Sequence, residues 1–179
     1  LYAETISGGT GNDTIDGGAD NDTAMYATVT NALNVNLATG VATGEGTDTL
    51  SNMENVVAGF GNDRITGNSS NNVLYGSEGN DTLEGGNGND ALYGGDGNDV
   101  FVMNDDAAMD SIYGGNGFDL LDFSSVTYDI RYSQGRGDAF RLYNRDEWVR
   151  FLLDIPGSND PGQGRDDDWN GSTSSLYDG

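Results

Sequence analysis

Nine-residue periodicity constrains this chain more than any other feature. Five consecutive blocks run from Ala58 to Val102, reading AGFGNDRIT, GNSSNNVLY, GSEGNDTLE, GGNGNDALY and GGDGNDVFV. Two more stand upstream, GGTGNDTID from Gly8 and GGADNDTAM from Gly17, and another, GGNGFDLLD, begins at Gly114. A unit this short cannot bury an apolar face by itself. Such units are stable only when stacked, which points to a solenoid.

In each block the first six residues, Gly85 to Asp90 for example, are mostly Gly, Asn and Asp. These types tolerate positive φ and favour turns over helices or long strands. The last three, such as Ala91-Leu92-Tyr93, suit a short strand whose middle residue points to one face and its neighbours to the other. The middle positions are Ile15, Ala24, Ile65, Leu74, Leu83, Leu92, Phe101 and Leu121, one apolar residue per block. Two blocks then make one coil, and the expected fold class is all-β, a parallel β-roll.

Charge is the obstacle to such stacking. The 179 residues include 30 acidic and 7 basic ones, with no Lys and no His, for a formal net charge of −23. Turns of successive coils lie about 4.8 Å apart, which brings the sixth-position carboxylates Asp63, Asp81 and Asp99 of alternate blocks into one column. Like charges at about 5 Å repel by roughly 3 kcal/mol at an effective dielectric of 20. One inward apolar residue per block does little to oppose this, so a cation between the turns is expected. Without Cys or His the soft ligands are gone, and hard oxygen donors remain. Calcium suits them, because it accepts about six to eight oxygens in a forgiving arrangement, whereas magnesium demands a tight octahedron and sheds water reluctantly.

The pattern GGxGxDxUx, with U apolar, resembles the RTX (repeats-in-toxin) or hemolysin-type calcium repeat, and the likeness covers roughly residues 8–25 and 58–122. That resemblance implies a right-handed parallel β-roll with several calcium ions lying between turns of neighbouring coils. The ligands would be the repeat Asp and backbone carbonyls of the glycine positions. Carried onto this sequence, the carboxylates are Asp13, Asp22, Asp63, Asp81, Asp90, Asp99 and Asp119. The glycines are Gly9, Gly11, Gly18, Gly59, Gly61, Gly79, Gly86, Gly88, Gly95, Gly97, Gly115 and Gly117. The column of Asp63, Asp81 and Asp99 should be the best formed. The opposite one is poorer, because the block from Gly67 has Asn72 in place of Asp, and Asn68, Ser69 and Ser70 where glycines are expected.

Between the repeats the register breaks. Residues 1–25 hold the N-terminal repeats. Residues 26–57 alternate at Leu33, Val35 and Leu37, offer a turn at Thr39-Gly40, and carry a partial repeat around Asp48 and Leu50. They read as extra coil material with a longer strand, and whether Asp48 or Glu54 binds an ion is left open. Residues 58–122 form the main roll. Within it, residues 103–113 number eleven, so Asp105, Asp106 and Asp110 belong to a bulged or imperfect turn; Asp110 is retained as a candidate ligand. From 123 to 155 the alternation of Val126, Tyr128, Ile130 and Tyr132, then Phe140-Arg141-Leu142 and Trp148 to Leu153, suggests an antiparallel meander that caps the open end of the solenoid. Residues 156–179 read as a Gly/Asp-rich tail or linker, although Asp166, Asp168 and Asn170 match the opening of an EF-hand-like loop. The closing acidic ligand is missing there, since Tyr177 stands in its place.

These features exclude more functions than they select. The acidity argues against nucleic-acid or anionic-membrane surfaces, and no stretch approaches the roughly 18 apolar residues of a membrane span. HExxH, GxSxG and GK[ST] are absent, so no enzyme activity is expected within the chain. Arg136-Gly137-Asp138 forms a cell-adhesion tripeptide, for which chance is the simpler account. The chain opens at Leu1 without a basic or apolar leader, which reads as an internal or processed fragment. The resemblance implies a secreted or cell-surface bacterial protein exported by a type I secretion apparatus and folding on external calcium. RTX modules accompany secreted proteases, lipases, epimerases and toxins. A surface-layer, adhesin or matrix protein with a polysaccharide or protein partner is the alternative.

Overall fold

The computed structural model describes residues 2–104 and 108–126, and the backbone of three strands between 131 and 150. The N-terminal repeats supply β1 (Thr5–Ile6), β2 (Thr14–Asp16) and β3 (Thr23–Met25). The irregular segment supplies β4 (Asn34–Asn36), β5 (Val41–Thr43), β6 (Thr47–Ser51) and β7 (Asn55–Val57). The main repeats follow with β8 (Arg64–Thr66), β9 (Val73–Glu78), β10 (Thr82–Glu84), β11 (Ala91–Asp96), β12 (Val100–Val102), β13 (Ser111–Asn116) and β14 (Leu120–Asp122). The described strands beyond them are β15 (Arg131–Gln134), β16 (Phe140–Tyr143) and β17 (Trp148–Arg150).

Successive blocks fall on alternate sides, giving a parallel β-solenoid of about six coils with no helix among the described residues. One sheet runs β1-β3-β7-β9-β11-β13 and is parallel throughout. The other runs β14-β12-β10-β8-β4-β5-β6-β2. Register follows the two-block coil: Ile65 pairs with Leu83, Leu83 with Phe101, and Leu74 with Leu92. Past the eleven-residue segment the offset lengthens but the pattern holds, with Leu92 opposite Ile112 and Phe101 opposite Leu121.

The second sheet departs from the expected all-parallel roll at β5, which pairs antiparallel with both β4 and β6. The cause is local. Asn36 Oδ1 accepts the Thr39 N–H at 2.8 Å, and Gly40 takes φ +69°, so the chain reverses and returns beside itself. Residues 26–57 thus widen one sheet by a meander while adding only β7 to the other.

Inward side chains from both sheets form one core. Ile15, Ala24, Ile65, Leu74, Leu83, Leu92 and Phe101 are buried as their central strand positions require, and Leu121 is only partly so, since β14 is the last strand of its sheet. Outside, Tyr75, Tyr93 and Tyr113 stack with ring centroids 4.5 and 4.6 Å apart, a direct product of the parallel register. Because Ile65 is fully enclosed, Ile65→Val should lower stability at saturating calcium by about 1 kcal/mol. Chemical denaturation followed by circular dichroism measures it, and no loss would mean that the core there is loosely packed. Strands β15, β16 and β17 form a separate antiparallel sheet, the arrangement expected of the meander.

Candidate metal centre: two columns of turn carboxylates

Stacking in register places the sixth residue of each block beside that of the coil above it. On one side the Asp63 N–H donates to Asp81 Oδ1 at 2.7 Å, the Asp81 N–H to Asp99 Oδ1 at 2.8 Å, and the Asp99 N–H to Asp119 Oδ1 at 3.0 Å. On the other side the Asn72 N–H donates to Asp90 Oδ1 at 2.7 Å and the Asp90 N–H to Asp110 Oδ1 at 2.9 Å. Asp110 therefore keeps the column position despite the two extra residues before it. Near the N-terminus Asp22 Oδ1 accepts the Glu4 N–H and the Asp22 N–H reaches Glu54 Oε2, while Asp48 Oδ1 accepts the Asp13 N–H. Each of these accepting carboxylates thus spends one oxygen on a neighbouring coil.

The second oxygen is what could meet an ion. Oδ2 of Asp13, Asp22, Asp81 and Asp99 is buried without a hydrogen-bond donor, an expensive state for an ionised group. Burial first, and then the charges of Asp63 and Asp99, push the Asp81 carboxyl up to about 7. Burial and the neighbouring Asp119 push Asp99 up to about 6. Asp63 is also raised by burial, against the opposing N–H groups of Leu33 and Gly59.

Glycine makes room for this arrangement in two ways. A Cβ at Gly76 would strike Asp81 Oδ2 and approach the Gly94 carbonyl oxygen to 2.7 Å, and Gly94 stands in the same relation to Asp99. At the fourth position Gly97 has φ +143°, and a Cβ there would run into the Gly79 carbonyl oxygen. The turns therefore expose stacked carbonyls beside each carboxylate. Among the described residues no three Asp, Glu, His or Cys side chains converge on one point, so a cation bound here would take much of its shell from the backbone. An acceptor-only cage of carbonyls with a buried, donorless carboxylate oxygen fits calcium.

Two contributors escaped the sequence reading. First-position glycines such as Gly76 and Gly94 are the ones that leave space for Oδ2. Fifth-position asparagines form a second ladder in the opposite sense: the Asn80 N–H donates to Asn62 Oδ1, the Asn98 N–H to Asn80 Oδ1, and the Phe118 N–H to Asn98 Oδ1. Their recurrence at the fifth position of seven blocks was the available signal. Asp105, Asp106, Asp166, Asp168, Asn170 and the Arg136-Gly137-Asp138 tripeptide lie outside the described residues.

Fold and turns together define a parallel β-roll of nonapeptide coils with carboxylate-lined turns. The family model of the RTX calcium-binding nonapeptide repeat matches this chain in 4 copies, over residues 1–25, 52–83 and 66–101. What matches is a repeat family and not a catalytic domain. None of the curated proteins matches the chain. Among solved structures it is similar to the extracellular lipase LipA from Serratia marcescens, at 16% identity and a TM-score of 0.34, over 84% of this chain and 36% of the lipase. The chain thus spans about a third of that protein's length. No helix among the described residues is long and apolar enough to cross a membrane.

Proposed function

We propose that this chain is a calcium-folded roll of an exported protein, unfolded at cytoplasmic calcium levels and ordered by calcium outside the cell. The observation that carries this reading is the set of buried Oδ2 atoms with no donor, at Asp13, Asp22, Asp81 and Asp99. A cation beside each would supply the missing partner and cancel the repulsion along the column. Asp63, Asp90, Asp110 and Asp119 complete the proposed carboxylate sets, with carbonyls of Gly79, Gly97 and their counterparts in other coils. Export fits the same energetics, since a chain that needs calcium to stack remains threadable until it meets the ion. The RTX resemblance makes a type I apparatus the proposed route. No residue of the chain is assigned a catalytic role.

Calcium titration from excess chelator, followed by circular dichroism, tests the reading. β-Structure should grow cooperatively with calcium, and magnesium at the same concentration should produce much less, because its octahedral preference suits carbonyl-rich turns poorly. Equal ordering by both ions would show that charge screening drives folding. A spectrum unchanged by chelator would overturn the calcium reading.

A further inference from the structure

We infer that residues 26–58 form a calcium-independent belt inside the roll, closed by the Tyr26 hydroxyl in the place where other coils are proposed to hold an ion. The inference rests on the calcium reading above and divides the roll beyond it. Asp48 occupies the column position next to Asp13, its Oδ1 accepting the Asp13 N–H at 3.0 Å as in the other coils. Its Oδ2, the atom left without a donor at Asp13, Asp22, Asp81 and Asp99, instead accepts the Tyr26 hydroxyl at 3.1 Å in a buried contact. A neutral O–H donor satisfies that oxygen with no ion.

The same substitution of protein for ion recurs at the belt's border with the main repeats. Asn72 stands where a carboxylate is expected, and its Nδ2 donates to the Glu54 carbonyl at 2.6 Å and to Asn68 Oδ1 at 3.1 Å. An amide carries its own donor and no charge. Asp63, a proposed ligand of the main repeats, is tied to the belt through the Leu33 N–H, which donates to its Oδ1 at 2.8 Å. Asn55 ties the belt to both neighbours, its Nδ2 donating to Asn21 Oδ1 at 2.6 Å and its Oδ1 accepting the Val73 N–H at 3.0 Å.

Apolar burial gives an independent reason for the belt to persist. Of the 19 buried apolar residues among the described ones, ten fall within 26–58, including Tyr26, Val29, Leu33, Val35, Leu50 and Val56. The regular repeats bury about one per block. A segment with its polar atoms paired and its core dense stays ordered when ions leave, and offers the repeats on both sides an edge on which to stack when calcium arrives.

Hydrogen exchange of the full chain, read by mass spectrometry in excess chelator and then in calcium, tests the belt. In chelator the amides of 26–58 should exchange at least about ten-fold more slowly than those of 76–104, and calcium should protect the latter. Equally fast exchange in chelator, with 76–104 still responding to calcium, overturns the belt and leaves the calcium reading standing. Strong protection of both regions in chelator overturns the two together. Tyr26→Phe should bring belt exchange in chelator close to that of the repeats. Asp48→Asn, which keeps a partner for the hydroxyl, should preserve belt protection and leave the calcium midpoint unchanged. If Asp48→Asn raises the midpoint as Asp81→Asn does, Asp48 is an ion ligand and the inference is wrong.

Discussion

Replacing Asp81 with Ala should raise the calcium midpoint of folding about ten-fold or more and flatten the transition. Asp81 is 1% exposed and links three coils: its Oδ1 takes the Asp63 N–H at 2.7 Å, its own N–H serves Asp99 Oδ1 at 2.8 Å, and its Oδ2 awaits a donor. Alanine removes an acceptor from a buried N–H and an oxygen from the proposed ion shell. Each loss is worth on the order of 1.5 kcal/mol or more where charge is involved, and about 1.4 kcal/mol is a factor of ten. Solenoid stability is close to a sum over neighbouring contacts, so a break at Asp81 separates the last coils from the rest and cooperativity falls. Asp96→Ala is the control. Asp96 is exposed and its carboxylate accepts a surface bond from Asn116 Nδ2 at 2.6 Å, so the midpoint should stay put. Equal shifts in the two variants would mean that the column does not follow the block register.

The contrast between Asp81 and Asp96 was readable in the sequence because the block fixes both positions relative to one apolar residue. Once Leu83 is placed inside, a strand period of two and a nine-residue block determine which acid meets its neighbours and which faces water. The same logic placed Leu74 against Leu92 and Ile65 against Leu83. It faltered where the block changes length or content. Nothing in the alternation of Leu33, Val35 and Leu37 distinguishes a parallel from an antiparallel neighbour, so β5 emerged only from the reversal at Thr39-Gly40. Asp110 stayed in its column because two additional residues can be absorbed by a turn while the strand register, Ser111 opposite Ala91, is held by hydrogen bonds. Tyr26 illustrates the remaining gap: its partner Asp48 lies 22 residues away, and only the folded meander brings hydroxyl and carboxylate together.

Acidification should act on this roll in two opposite ways, depending on calcium. In chelator, lowering the pH from 8 to 5 should stabilise the coils around Asp81 and Asp99. Their carboxyls are pushed up to about 7 and about 6 by burial and neighbouring charge, and Asp63 is raised as well, so the folded state binds more protons than the unfolded one, whose carboxyls titrate near 4. A raised acid adds stability that is fully present below its unfolded value and is lost as pH rises through its folded value, here across about 4 to 7. With calcium present the sign reverses for binding, because the ion needs the charged form and must displace the proton. At pH 5.5 a carboxyl titrating at about 7 is charged in roughly one molecule in thirty, so calcium should bind coils that are already folded on the order of 30-fold more weakly than at pH 8. Circular dichroism of the chelated chain from pH 8 to 5, paired with the protons released when calcium is added at pH 5.5, checks both signs. A chelated chain whose β content falls toward pH 5, or calcium binding at pH 5.5 that releases no protons, would show that Asp81 and Asp99 are charged and solvated in the folded chain, contrary to their burial.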